Sequence, residues 1–423
     1  MGQVSLIIRI SVFFLLVLPL SAQLWDLPFQ LAQDATRESG NRFAITFEQR
    51  IRLEDRTDCN FGADPDRAAV LLRTRIGLTV KPVKWLKLSG MMQDSRAPGY
   101  GLNAPTNYRA PLGLHEAYVE LTPGQWEIEA GRSMMHYGEG LMIGTPQWGN
   151  SSRSYDHARV AYVWHGLKTE FLVVSPVKLR IDDFARPVLG ERAWGTYNTV
   201  KDVWHKTQAD FYLLRHDQNR PGGYLGLGRL ATNSFGGRWS GPVLGTSKFS
   251  TEGVLQNGTI AGLQHRGAAW HGTFGRRYQA AGRNLDLYTE YNYASPGYDQ
   301  VFAAHHDRFG HQDLFGWRNI HAIRGLATYG LTRRMNVNLM FDDYWLADSR
   351  QGLYGGTGKL LARSGDGSAG RHVGEEADLF GTYKVRHSTF GLGYGRMIAG
   401  GFLHHTTPGK SPNYFYVFHG YSF

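Results

Sequence analysis

The sequence predicts an all-β fold, a transmembrane antiparallel up-and-down β-barrel of about 18 strands (about 16–18), with long loops on one side and short turns on the other. Three observations lead there. Side chains alternate between apolar and polar with period two along most of the chain, the pattern of strands with one greasy face. Short and long connections alternate. The composition couples 53 glycines and 13% aromatic residues with a mean hydropathy on the polar side, and helical periodicity is absent. After residue 22 no apolar run reaches about 18 residues, so no helix spans a bilayer.

Taken in order, residues 1–22 read as a secretory signal peptide. Arg9 stands in a short n-region, VFFLLVLPL is the apolar core, and Leu20-Ser21-Ala22 offers small residues for cleavage. Residues 23–423 read as a single outer-membrane barrel domain. Arg9 is the only charge before Gln23, so the formal +10 becomes +9 without the leader. A basic balance suits nucleic acid, an anionic surface or an anionic solute. Export and the absence of Lys/Arg clusters argue against nucleic acid. The lone Cys59 has no partner within the chain and is expected to be an unpaired surface thiol in the first loop.

From Phe43 the alternation is clear. Phe43, Ile45, Phe47, Ile51 and Leu53 share one face, and Glu48, Arg50, Arg52 and Glu54 the other. After a loop over 55–67, Val70, Leu72, Ile76, Leu78 and Val80 alternate with Arg73, Arg75, Thr79 and Lys81. A turn at 82–84 leads to a strand over 85–93. Strands follow at 114–121, 125–132, 159–164, 167–174, 209–214, 249–255, 268–274, 285–293, 320–331, 335–344, 377–385, 389–396 and 414–423. The apolar face has nothing but lipid to meet, and an open sheet edge does not survive in hydrocarbon, so the sheet closes. Tyr118, Trp126, Trp164, Tyr291, Tyr293, Trp345, Tyr383 and Tyr394 are expected in the interfacial girdles.

In a barrel the polar face is the lumen, so Arg50, Arg52, Arg73 and Arg75, with Glu48 among them, predict a charged inner wall. An arginine excess selects anions, and the planar guanidinium fork takes both oxygens of a carboxylate. The same rows equally fit the solvated wall of a porin with no specific solute. The loop over 131–159, GRSMMHYGEGLMIGTPQWGNSSRSYDHAR, is expected to narrow the pore. It adds Arg132, Arg153 and Arg159, with Asp156, among the anchors Tyr137, Trp148 and Tyr155.

That loop resembles the signature of the alginate-export family of outer-membrane porins. The pattern is carried by Gly131-Arg132, Tyr137-Gly138, Leu141-Met142-Ile143-Gly144, Trp148, Asn150, Arg153-Ser154-Tyr155-Asp156 and Arg159. Gly140 departs from it, standing where the family commonly has Arg. Two weaker stretches, 305–325 and GRHVGEEADLFGTYKV, are similar to further family segments, and NYFYVFHGYSF resembles the C-terminal strand of outer-membrane barrels, ending at Phe423. The resemblance implies an 18-stranded porin with a basic conduit for an acidic polysaccharide or its uronate oligosaccharides. Arg132, Arg153 and Arg159 would line or brace the constriction, and Asp156, Glu376 and Asp378 would pair with guanidinium groups. The implied partners are outer-membrane lipid, periplasmic export proteins, and the barrel-assembly machinery acting on Phe423.

No enzyme pattern competes. Asp182-Asp183 and Asp342-Asp343 are strand neighbours that face opposite ways, His305-His306 and His404-His405 lack a third ligand at metal spacing, and no nucleophile elbow is present. No cofactor and no metal are expected. A general porin of low selectivity, and a plugged barrel serving as adhesin or assembly scaffold, stay open as alternatives.

Overall fold

The computed structural model describes residues 42–100, 108–180, 185–219, 228–304, 306 and 308–423. The leader, Asp182-Asp183 and His305 lie outside them. The first half contributes β1 (Phe43–Thr57), β2 (Arg67–Val83), β3 (Leu86–Arg96), β4 (Ala110–Leu121), β5 (Trp126–Ser133), β6 (Tyr155–Trp164), β7 (Leu167–Lys178), β8 (Arg186–Pro187), β9 (Glu191–Val200) and β10 (Gln208–Gln218). The second half adds β11 (Leu230–Pro242), β12 (Ser247–Ile260), β13 (Leu263–Ala280), β14 (Arg283–Ala294), β15 (Ile320–Gly330) and β16 (Met335–Leu346). Then come β17 (Gly352–Tyr354), β18 (Leu360–Arg363), β19 (His372–Val385), β20 (Ser388–Ala399), the short helix α1 (Gly401–Thr406) and β21 (Asn413–Ser422).

Each ring strand pairs antiparallel with its sequence neighbour, and β1 pairs with both β2 and β21, which closes the sheet. The main sheet has 19 strands; two-residue β8 touches only the end of β7, so the closed ring has 18. β17 and β18 form a separate ribbon. At the seam Phe423 N–H donates to Phe47 O at 3.1 Å, and Phe47 N–H returns a bond to Phe423 O at 3.0 Å. Closure leaves no edge for hydrocarbon to strip of hydrogen bonds.

The two faces follow the alternation. Phe43, Ile45 and Ile76 are more than half exposed on the outside (55%, 55% and 56%), while Arg50, Arg52, Arg73 and Arg75 point inward and are 5% exposed or less. Eight short turns, among them 165–166 and 386–387, lie on one side. The other side carries the longer loops, with one exception: β12 and β13 are joined there by Ala261 and Gly262 alone.

The alternation does not mark β9 and β11. The outward row of β9 is Arg192, Trp194, Thr196 and Asn198, and that of β11 is interrupted by Asn233 and Gly237. Both belong because their neighbours hydrogen-bond them, which a local pattern cannot register. Tyr118, expected in a girdle, faces the lumen instead. Cys59 is not at the surface but 5% exposed and unpaired, in a 3-10 turn (Cys59–Gly62).

Candidate functional site

The loop expected over 131–159 is shorter than that, because β5 runs to Ser133 and β6 starts at Tyr155. Its residues 134–154 fold into the lumen. Leu141, Met142, Ile143 and Trp148 are 1–3% exposed there, and Leu141–Ile143 join an apolar core with Phe302, Phe309, Phe315 and Trp317. The latter four come from the loop 295–319 between β14 and β15. The two loops pair as a miniature sheet: Gly144 N–H donates to Phe302 O (3.1 Å), Phe302 N–H to Met142 O (2.9 Å) and Ala304 N–H to Gly140 O (2.9 Å). Backbone taken out of water must find such partners.

The inner wall grips this loop by its carbonyls. Arg50 donates to the backbone oxygens of Gln147 (3.2 Å), Trp148 (2.8 Å) and Gly149 (2.9 Å). Arg52 donates to Trp148 O at 2.6 Å, and Arg73 to Gln147 O and Gly149 O at 2.8 and 3.0 Å. Arg75 reaches the Gln147 side-chain oxygen at 3.0 Å and the Ser152 hydroxyl. Glu48 sits between Arg73 and Arg75, and Glu54 takes Arg52 at 2.6 Å. The Arg52 guanidinium lies 3.9 Å from the centroid of the Trp148 ring, whose N–H donates to the Tyr414 hydroxyl. Four guanidinium groups against two carboxylates are an excess of positive charge, and the carbonyl lone pairs of 147–149 absorb it.

Arg153 stitches the two loops, donating to Phe302 O at 2.8 Å. Arg159 bridges Glu129 (2.6 Å) and Glu170 (3.0 Å) on the lumen wall. Arg132 and Asp156 are brought together as a two-pronged pair, at 2.6 and 3.0 Å, but on the outward face. Arg132 therefore does not line the lumen. The parity is set by the row Ala117–Arg132–Asp156, beside inward Gly131. That glycine has φ +131°, and a Cβ on it would lie 2.2 Å from Ala117 O. Glu376 accepts the backbone N–H of Gln312 at 2.9 Å, so it holds the second loop. Glu376 and Asp378 are both buried on the wall (0% and 1% exposed), but neither makes the expected guanidinium pair among the described residues, where a Glu376 oxygen and both Asp378 oxygens also have no hydrogen-bond partner. Asp342 faces the lumen fully buried and Asp343 the outside, the opposition expected of strand neighbours.

A further network was not anticipated from the sequence. Glu139 receives Arg238 at 2.7 Å and Arg308 at 3.1 Å, and Arg324 pairs with Asp342 at 2.9 Å. Burial would raise the Glu139 pKa, but Arg308 and Arg238 hold its carboxyl well below the usual carboxylate range. Glu139 and Asp156 are the only carboxylates between Gly131 and Arg159, a signal that was available. Arg238 lies on β11, which alternation does not mark.

Below the loop, on the short-turn side, a cavity of about 820 Å³ is roofed by Met134–Gly138. Six cationic side chains and six carboxylates line it, so this vestibule is charge-mixed and not purely basic.

The comparisons agree with this architecture. The Alginate export family model matches residues 41–417. Among solved structures, OccD3 (OpdP) of Pseudomonas aeruginosa superposes with a TM-score of 0.61 at 12% identity, covering 90% of this chain and 91% of that one. OccAB1 of Acinetobacter baumannii gives 0.62 at 11% identity, covering 90% and 96%. OpdK of Pseudomonas aeruginosa, solved with vanillate, gives 0.61 at 9% identity, covering 90% and 98%. At such identities the likeness is one of fold. No curated protein sequence matches the chain. With a closed 18-stranded ring, an apolar outer wall and a family match over nearly its whole length, the chain is an outer-membrane β-barrel of the alginate export family.

Proposed function

We propose that this outer-membrane channel passes an anionic polysaccharide, an alginate-like polyuronate or its oligomers, across an arginine cradle that its own loop occupies at rest. The observation that carries the reading is the convergence of Arg50, Arg52 and Arg73 on three successive backbone carbonyls, those of Gln147, Trp148 and Gly149. Those oxygens stand where the oxygens of a passing carboxylate would bind. Displacing 147–149 exposes guanidinium donors that take carboxylates in the same geometry. Several weak sites in series then let the polymer leave again. Arg153 and Arg159 serve as braces, with Glu48 positioning guanidinium groups and Glu376 the second loop.

The test is reversal potential and uronate block in planar bilayers, with the wild type set against Arg50→Gln/Arg73→Gln. Anion preference that falls in the variant supports the cradle. Equal permeability to cations and anions in the wild type would leave a general porin. A second reading has its own support: the lumen is filled by Phe302, Phe309, Trp317 and Ile143, each at most 3% exposed. A permanently plugged scaffold would be silent even when loop contacts are cut.

A further inference from the structure

We infer that the short-turn mouth of the vestibule carries a distributed carboxylate-binding subsite, in which Lys81 and Lys84 at the β2–β3 turn and Lys201 at the end of β9 each engage a different carboxylate of the polymer. This rests on the reading that the barrel passes an anionic polymer, and it says where that polymer is first held. The twelve charged groups of the vestibule are not equally available. Glu120 is taken by Lys87 at 2.8 Å, Glu127 by Lys168 at 2.6 Å, Glu129 and Glu170 by Arg159, and Asp210 by Arg238 at 3.0 Å. Glu116 is occupied by the Met134 N–H at 3.1 Å. Lys81, Lys84 and Lys201 line the same cavity and make no ion pair among the described residues.

Their placement follows from topology. Lys81 is near the end of β2, Lys84 is in the β2–β3 turn, and Lys201 directly follows β9. All three therefore lie on the turn side, with β4, β5, β6 and β7 between the Lys84 turn and the Lys201 strand, and in outer-membrane barrels that side faces the periplasm. The cradle arginines, by contrast, are spent on the loop. A carboxylated chain arriving from the turn side meets uncommitted ammonium groups before any available guanidinium. Flexible, well-hydrated ammonium groups bind carboxylates weakly and without fixed geometry, which suits capture followed by release.

The experiment is calorimetric titration of a short galacturonate oligomer into the refolded full chain in neutral detergent, at low and at high salt. Wild type is expected to bind, more weakly as salt screens the lysines. Lys81→Gln/Lys84→Gln/Lys201→Gln together should weaken binding about tenfold, three exposed pairs' worth. Lys359→Gln, an exposed lysine on the loop side, should change nothing. Wild-type affinity in the triple variant, or a wild type that does not bind, overturns the subsite. Reversal potentials on the same preparations separate the two ideas. Anion preference together with an unaffected triple variant ends the subsite and keeps the polyanion channel. No anion preference and no binding ends both.

Discussion

Replacing Arg50 by Gln tests whether the arginine cradle holds the lumen loop. The wild-type side chain makes three charge-assisted bonds to the carbonyls of 147–149, at 2.8–3.2 Å, and is 5% exposed. Bonds to charged groups contribute about 1.5–3 kcal/mol each, but they do not add here. Arg52 and Arg73 still hold the same oxygens, and removing one cation relieves repulsion among neighbouring guanidinium groups. A net loss of about 2–3 kcal/mol in loop docking is the reasonable figure, or about 30- to 140-fold in the displaced population. Hydrogen–deuterium exchange of 134–154 should rise by that factor, with more frequent opening in planar bilayers. Arg132→Gln serves as the contrast, because Arg132 is on the outer wall and touches no lumen loop. Unchanged protection of 147–149 in Arg50→Gln would refute the cradle as the clamp. Equal effects of the two variants would show that strand parity was misjudged.

Other perturbations probe separate parts of the same construction. Arg153→Ala removes the 2.8 Å bond to Phe302 O and should raise exchange of 295–319 by about tenfold, a loss of about 1.5 kcal/mol. Gly131→Ala puts a Cβ 2.2 Å from Ala117 O at φ +131°; a cost of about 1–3 kcal/mol should appear as a lower unfolding temperature of the barrel. Deleting Phe423 removes both seam bonds to Phe47 and a stacked ring pair at 5.6 Å, and should slow barrel closure, read as the heat-modifiable gel shift during refolding. Two titratable groups of the loop itself respond to pH. Glu139 is depressed in the fold, so its pairs stabilise fully above the ordinary Glu value of about 4.3 and fade only as pH falls through the lower folded value. Burial pushes His136 down, so protonation opposes the folded loop once pH falls below about 6.5. Protection factors of 134–154, corrected for the intrinsic pH dependence of amide exchange, should be flat above neutrality and fall toward pH 5, and His136→Asn should reduce that first fall.

What the sequence could disclose was set by the period of a strand. Period two is a local property, so the inward row Glu48–Arg50–Arg52 and the outward row Ile45–Phe47–Ile51 were legible from a dozen residues. β9 and β11 were not, because Asn198, Asn233 and Gly237 break their outward rows and only cross-strand bonds place them. Arg132 illustrates a subtler limit. It falls both at the end of the strand expected over 125–132 and in the loop expected over 131–159; because β5 runs on to Ser133, Arg132 keeps the parity of Trp126, Ile128 and Ala130 and faces outward with Asp156.

The interior of the barrel is the least local part. The contact between Arg50 and Trp148 spans 98 residues, and that between Glu139 and Arg308 spans 169, and no sequence window relates them. Yet chemistry constrained the outcome. A wall with four inward arginines and few carboxylates cannot be left dry and unpaired. Something rich in oxygen had to meet it: water, an anion or backbone. The loop 134–154 brings few side-chain anions, and its glycines and Pro146 leave its carbonyls free of helical bonds. On the proposed function, a loop that presents carbonyls is exchanged for a ligand that presents carboxylates, since both offer oxygen lone pairs to the same guanidinium forks. Salt bridges at 147–149 would hold too firmly for that exchange, with about 3–5 kcal/mol at stake when one partner of a buried pair is withdrawn; the loop's one carboxylate, Glu139, pairs elsewhere, with Arg238 and Arg308. Neutral acceptors on a cationic wall therefore fit a resting stopper that a more negative passenger can replace.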